Sequence, residues 1–174
     1  MKKTSALAGA GLAAAALLFG FAVPASANSS AIVPASQPSA LLQEVLRTHP
    51  DAKQVGANEI SFDHGHANLT VSNSPAVLSD CKAGWYCFWQ DTNFSGRRVS
   101  YNLCSGSSGN GNYYNLTTDN FNDQTTAFAN NTNYSIRVFD DINAGGAQLW
   151  TEGAHSTSAD VGFGNNDRAS SFAC

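Results

Sequence analysis

Charge is scarce in this sequence: only 13% of its 174 residues are Asp, Glu, Lys or Arg. The basic sign is the scarcer, with nine Lys and Arg against thirteen Asp and Glu, which gives a formal net charge of −4. A chain so short of cations lacks the basic patch that phosphate contacts need, so nucleic acid is excluded as a partner. Also missing are a G-x-S-x-G elbow and an H-E-x-x-H helix, and no pair of carboxylates stands out as glycosidase machinery. The reading is therefore of a protein that is not an enzyme. Cysteine is absent from the first eighty residues, and after Val23 no apolar run is long enough to anchor the chain in a membrane.

What is present begins with Lys2 and Lys3, an apolar stretch from Ala6 to Val23 diluted by Ala and Gly, and then Ala25-Ser26-Ala27. That order is the pattern of an export signal cleaved after Ala27, rather than of a membrane helix. Residues 1–27 are thus expected to be removed, leaving a secreted, extracellular product with no membrane attachment. Without Lys2 and Lys3 its formal charge falls from −4 to −6.

Cys81, Cys87, Cys104 and Cys174 all lie in the last 94 residues. An even count in an exported chain points to two disulfides, and the absence of C-x-x-C spacing argues against zinc. Three pairings are possible. Cys81 with Cys87 and Cys104 with Cys174 is favoured, because a short local loop and a clamp on the C-terminus would close both ends of one domain.

Residues 28–38 are Ser, Ala and Pro with little to bury, and read as a flexible linker. Residues 39–80 read as a small helix-plus-hairpin segment. Ser39 is placed to cap a helix running to about Thr48, with Leu41, Leu42, Val45 and Leu46 on one face and Pro50 as its stop. Lys53 to Ser72 alternates apolar and polar residues around Asp63-His64-Gly65-His66, the pattern of a hairpin. This segment is either a subdomain packed on the C-terminal domain or a processed pro-segment, and the packed subdomain is favoured. From Cys81 to Cys174 the texture is aromatic, Gly- and Asn-rich, with short alternating runs and no helical periodicity, which predicts an all-β domain. Trp85, Cys87 and Trp89 share one face of a strand and Tyr86 and Phe88 the other, so that strand is expected to be central and buried on both sides.

The most specific feature is an internal repeat. Trp89-Gln90-Asp91-Thr92-Asn93-Phe94-Ser95-Gly96 aligns with Phe139-Asp140-Asp141-Ile142-Asn143-Ala144-Gly145-Gly146, and Asn122-Asp123-Gln124-Thr125-Thr126-Ala127-Phe128 with Asn166-Asp167-Arg168-Ala169-Ser170-Ser171-Phe172. The two offsets differ, which points to an insertion at Ser105 to Asn112. An aromatic, four residues, a second aromatic, one residue and Gly, followed some thirty residues later by N/D-N/D-x-x-S/T-S, resembles the βγ-crystallin Greek-key motif. The resemblance covers residues 81–174, with Ala144 standing where the second copy should have an aromatic and Ala127 where the first should have its last Ser. It implies an all-β, βγ-crystallin-like domain of two Greek-key motifs.

In calcium-binding βγ-crystallins the second element supplies oxygen ligands. By that resemblance one site would use Asp123, the Gln124 carbonyl and Thr126, and the other Asp167, the Arg168 carbonyl and Ser170, with hairpin carbonyls near Gln90 and Asp140 completing them. Up to two sites with so few full charges would bind weakly, on the order of 10⁻⁴ M or poorer. The competing reading is that these loops only tie the hairpins down through side-chain hydrogen bonds. Trp85, Tyr86, Tyr113, Tyr114 and Trp150 are candidates to stack on cell-wall glycan, against the simpler expectation that they fill the core. His64 and His66 have no visible third metal ligand, and Arg97-Arg98 reads as a solvated strand end.

The run Cys81-Lys82-Ala83-Gly84-Trp85-Tyr86-Cys87-Phe88-Trp89 fits a Cys-x-x-G-W/Y-x-C-x-aromatic start and resembles secreted bacterial βγ-crystallin-like proteins of the peptidase-inhibitor family that includes metalloproteinase inhibitors. That resemblance implies a rigid, disulfide-held inhibitor of an extracellular proteinase, a metalloproteinase first. The alternative is a calcium- or glycan-binding module without inhibitory action. No stretch of the sequence matches a known reactive segment, so the sequence assigns no inhibitory loop.

Overall fold

The computed structural model describes residues 39–72, 78–104 and 113–174. The expected leader, the linker at 28–38 and the Ser105 to Asn112 insertion lie outside them. Helix α1, Ala40–Thr48, begins at Ser39, whose hydroxyl accepts from the Leu42 N–H at 3.3 Å, and it buries Leu42 and Val45 as its apolar spacing requires. Residues 53–70 form three strands where a single hairpin was expected: β1 (Lys53–Gly56), β2 (Glu59–Phe62) and β3 (Ala67–Thr70). The turn at Ala57 and Asn58 follows an exposed, mostly polar strand, so β1 carried little apolar signal of its own.

The repeat folds as two copies of one four-strand unit. The first comprises β4 (Tyr86–Asp91), β5 (Ser95–Tyr101), β6 (Tyr113–Asn115) and β7 (Ala127–Asn130). The second comprises β8 (Ile136–Asp141), β9 (Gly145–Glu152), β10 (Thr157–Ser158) and β11 (Ser171–Ala173). Each unit places its first, second and fourth strands in one sheet and lends its third to the other, giving the orders β1-β2-β3-β5-β4-β7-β10 and β6-β11-β8-β9. This reciprocal exchange is the double Greek key that the spacing of the two motifs implied. It also ties the two halves together, since neither sheet is complete without a strand of the other unit.

β4 pairs with β5 on one side and β7 on the other, and Tyr86 to Trp89 are all buried. Tyr86 and Phe88 enter the main core between the sheets with Val99, Tyr101, Phe121, Ile136, Val138 and Phe172. Cys87 and Trp89 enter a smaller cluster on the opposite face with Cys81, Ala127 and Ala129. On the other edge β3 pairs antiparallel with β5, from Ala67↔Tyr101 to Thr70↔Arg98, so the N-terminal segment continues the sheet and shares its core.

The disulfides join Cys81 to Cys87 and Cys104 to Cys174, as favoured. On a chain-entropy model the longer loop contributes about 4 kcal/mol and the shorter about 2 kcal/mol.

Candidate functional site

The repeated hairpins are near copies in backbone. β4 and β8 each carry an irregularity before the turn, after which Asp91 pairs with Ser95 and Asp141 with Gly145. Asn93, Phe94 and Gly96 have φ of 55°, 58° and 74°, and Asn143, Ala144 and Gly146 have 61°, 55° and 67°. Glycine is required at the last position twice over. Its φ is positive, and an added Cβ would collide with the Asp91 carboxylate at Gly96 or with those of Asp140 and Asp141 at Gly146.

The second motif element lies across the base of each hairpin. Thr126 donates its N–H to the Trp89 carbonyl, and Ser170 its N–H to the Phe139 carbonyl, both at 2.9 Å. The two loops also clasp each other about a pseudo-twofold. The Asp123 N–H donates to the Ala169 carbonyl at 3.0 Å, and the Asp167 N–H to the Thr125 carbonyl at 3.2 Å. Asp123 and Asp167 both take left-handed backbone, with φ of 52° and 54°.

The clasp also brings side-chain oxygens of the two motifs together. Asp123, expected to act with the Gln124 carbonyl and Thr126 of its own motif, has a carboxylate that accepts from the Ser170 hydroxyl of the other copy at 3.2 Å. The left-handed turn at Asp123 sends its side chain across the pseudo-twofold, a tertiary effect that spacing along one copy does not reveal. Asp140 is engaged as well: its carboxylate pairs with the Arg168 guanidinium at 2.9 Å and accepts from the Ala147 N–H at 2.5 Å. Arg168 and Gln124, equivalent in the repeat, both reach back four residues, to the Gly164 and Asn120 carbonyls at 2.7 and 3.2 Å. Beside Gln90 no corresponding ion pair forms among the described residues.

Oxygens 3.2 Å apart can share one calcium ion at the usual contact distances of about 2.3–2.6 Å, so Asp123 and Ser170 fit the ion. The Arg168 charge beside Asp140 works against it. Among the described residues no cluster of three or more His, Cys, Asp or Glu is placed to hold a metal.

The structure disperses the other sequence candidates. Tyr86 is fully buried, Trp85, Tyr114 and Trp150 are half-buried, and only Tyr113 of that group is well exposed. His64 and His66 sit in the turn between β2 and β3, and His66 Nδ1 lies 2.7 Å from Asn102 Oδ1. Arg97 is not a solvated strand end. It is 8% exposed, its guanidinium lies 5.0 Å from the Phe121 ring centroid, and it donates to the Asn120 carbonyl at 2.6 Å and to the Gln124 side-chain carbonyl. Strand alternation carries the missed signal, since Arg97 shares a face with Val99 and Tyr101.

Two fully buried acids were also missed. Asp119 accepts from the Tyr101 hydroxyl through Oδ2 and leaves Oδ1 without a partner. Burial outweighs that hydrogen bond and pushes the carboxyl up to about 7. Glu152 accepts from the Trp150 indole N–H at 3.1 Å, leaves Oε2 unpaired, and is held well above the usual carboxylate range by burial. Each acid meets an aromatic donor, Asp119 the Tyr101 hydroxyl and Glu152 the Trp150 indole.

Residues 74–151 match the model of peptidase inhibitor family I36. No curated protein matches the chain. The chain is similar to a solved structure described as "Evolution of the eye lens beta-gamma-crystallin domain fold" (21% identity, 61% of this chain and 93% of that one, TM-score 0.45). It is also similar to a βγ-crystallin domain from Clostridium beijerinckii (25% identity, 52% and 94%, TM-score 0.39) and to a βγ-crystallin from Ciona intestinalis (20%, 51% and 96%, TM-score 0.40). The exchanged strands give a βγ-crystallin-like fold, and the match over residues 74–151 supports a non-enzymatic, peptidase-inhibiting role with a peptidase as partner.

Proposed function

We propose that this protein is exported and inhibits an extracellular peptidase, a metallopeptidase first, by seating a rigid surface in the cleft without chemistry of its own. The match of residues 74–151 to peptidase inhibitor family I36 carries the reading. The architecture suits it: exchanged strands and two disulfides fix the surface loops before contact, and that pre-organisation lowers the entropy lost on binding. Export is supported by the N-terminal pattern at Lys2 to Ala27 and by the paired cysteines. The metallopeptidase preference rests on the resemblance of Cys81 to Trp89. The test is titration of a thermolysin-type metallopeptidase and a subtilisin-type serine peptidase with the oxidised chain from Asn28 onward. Saturable loss of metallopeptidase activity with the protein intact on a gel is expected, and full activity of both enzymes up to high micromolar protein overturns the reading.

A second reading, a calcium-binding module, is favoured by the Asp123 and Ser170 oxygens brought together from the two motifs. The bound ion would supply a bridge between the two loops. A site with a single carboxylate implies weak affinity, on the order of 10⁻⁴ M or poorer. Ten millimolar calcium is expected to raise Tm by a few degrees, and less in Asp123→Asn. A Tm equal in calcium and in chelator removes this reading.

A further inference from the structure

The segment between β10 and β11 carries Gly162-Phe163-Gly164, and Phe163 is fully exposed, at 103% of its reference area. No other large apolar side chain among the described residues exceeds 57%. One exposed apolar residue says little by itself. Here the surroundings of the ring set it apart.

The loop beneath Phe163 is fixed on both sides. Upstream, Val161 donates its N–H to the Thr126 carbonyl at 2.8 Å, Ser158 Oγ donates to the Asp160 carbonyl at 2.6 Å, and Asp160 Oδ1 accepts the Gly162 N–H at 2.7 Å. Downstream, the N–H groups of Asn165 and Asn166 converge on the Gly162 carbonyl at 2.9 and 3.0 Å, and Asn165 Nδ2 donates to the Val161 carbonyl at 3.1 Å. Arg168 then bridges the Gly164 carbonyl to the Asp140 carboxylate of the neighbouring hairpin.

Phe163 itself has neither its N–H nor its carbonyl bonded within the described residues. Gly162, at φ +85°, and Gly164 leave open space where side chains would stand, with no heavy atom within 4 Å of either ideal Cβ. A large aromatic ring, the residue's own unpaired N–H and carbonyl, and cleared flanks are thus held out on a braced loop. An aromatic side chain of this size is strongly favoured by burial away from water, and nothing among the described residues buries it.

We propose that Phe163 is the anchor of the inhibitory surface: its ring enters an apolar specificity pocket of the target peptidase while its free N–H and carbonyl pair with the cleft. This rests on the inhibitor reading and deepens it, and it lies outside the residues matched to the family. The pocket it fits is one that accepts large apolar side chains, as in peptidases that cleave beside Phe or Leu.

The test compares the wild-type chain, Phe163→Ala and Phe163→Leu against a thermolysin-type metallopeptidase and a chymotrypsin-type serine peptidase, with Tm measured in parallel. Phe163 touches nothing in the core, so all three proteins should share one Tm. For whichever peptidase the wild type inhibits, Phe163→Ala is expected to weaken inhibition by about thirtyfold or more, the scale of a buried aromatic anchor, and Phe163→Leu by less than about fivefold. Equal inhibition by wild type and Phe163→Ala overturns the anchor and leaves the inhibitor reading standing. A wild-type chain that inhibits neither enzyme overturns both.

Discussion

At the scale of single residues, buried acids set how the fold responds to pH. Asp119 lies at the end of a 3-10 turn, Leu116–Asp119, against the Tyr101 hydroxyl. The other groups that bear on its charge are Asp63, Tyr86 and Tyr114, and no cation among the described residues is bonded to it. The folded state holds the Asp119 proton up to about pH 7, whereas the unfolded chain releases it near 3.8. The resulting stability is fully present below about pH 4 and is lost as pH rises through 7. The gap corresponds to a loss on the order of 2–4 kcal/mol. Glu152, raised in the same direction by burial, adds to the loss. Thermal melts should therefore show Tm falling between pH 5 and pH 8. Asp119→Asn, which keeps an acceptor for Tyr101 but has no proton to lose, should flatten the part of that slope below about pH 7. An unchanged slope in the variant would assign the pH response to other groups.

Among the elements, the two hairpins reach one backbone by different chemistry. In the first copy the Phe94 ring packs edge-on against Trp89, with centroids 5.3 Å apart, and Ala127 lies in the same cluster. In the second, Ala144 leaves no ring to pack, and the buried Ser171 hydroxyl takes over by accepting from the Ala144 N–H at 3.0 Å and donating to the Asp141 carbonyl at 2.5 Å. The two apparent defects in the motif, Ala144 and Ala127, thus complement each other: each copy keeps either the ring or the hydroxyl. Phe94→Ala, at a half-buried ring, is expected to cost about 2 kcal/mol, and Ser171→Ala, which orphans a backbone N–H, about 1–3 kcal/mol, both readable from denaturant midpoints. A neutral Ser171→Ala would mean the hairpin holds without its hydroxyl. The hairpins were legible in the sequence because positive φ marks its positions with Gly and Asn at fixed spacing. The crossing of Asp123 to Ser170 was not, because it depends on how the copies face each other. Phe163 was overlooked because a lone aromatic between glycines carries no periodicity, although those glycines were visible.

For the whole molecule, the open question left by the sequence concerns residues 39–72, read as either a packed subdomain or a removable pro-segment. The strand order gives this segment a structural task. β3 covers the edge of β5 with four paired positions, and Leu42, Val45, Ile60, Phe62, Ala67 and Leu69, all at most 2% exposed, belong to the same core as Tyr86, Tyr101 and Phe172. Six such side chains represent on the order of 10 kcal/mol of burial at most, comparable with the entire stability of a domain of this size. Their loss would also open the β5 edge, with Val99 and Tyr101 beside it, to pairing with another chain. A chain beginning at Ser79 is therefore expected to melt at least about 10 °C below the chain beginning at Asn28, or to aggregate, even with both disulfides formed. The measurement is calorimetry of the two oxidised proteins together with mass determination of the secreted product. A shortened product with an undiminished Tm would show that the Greek-key pair is self-sufficient and that the added strands are a removable cover. A product that keeps residues 39–72 and melts well above the truncated chain would make the seven-stranded sheet the functional unit, the frame that holds the hairpins and the Phe163 loop in place.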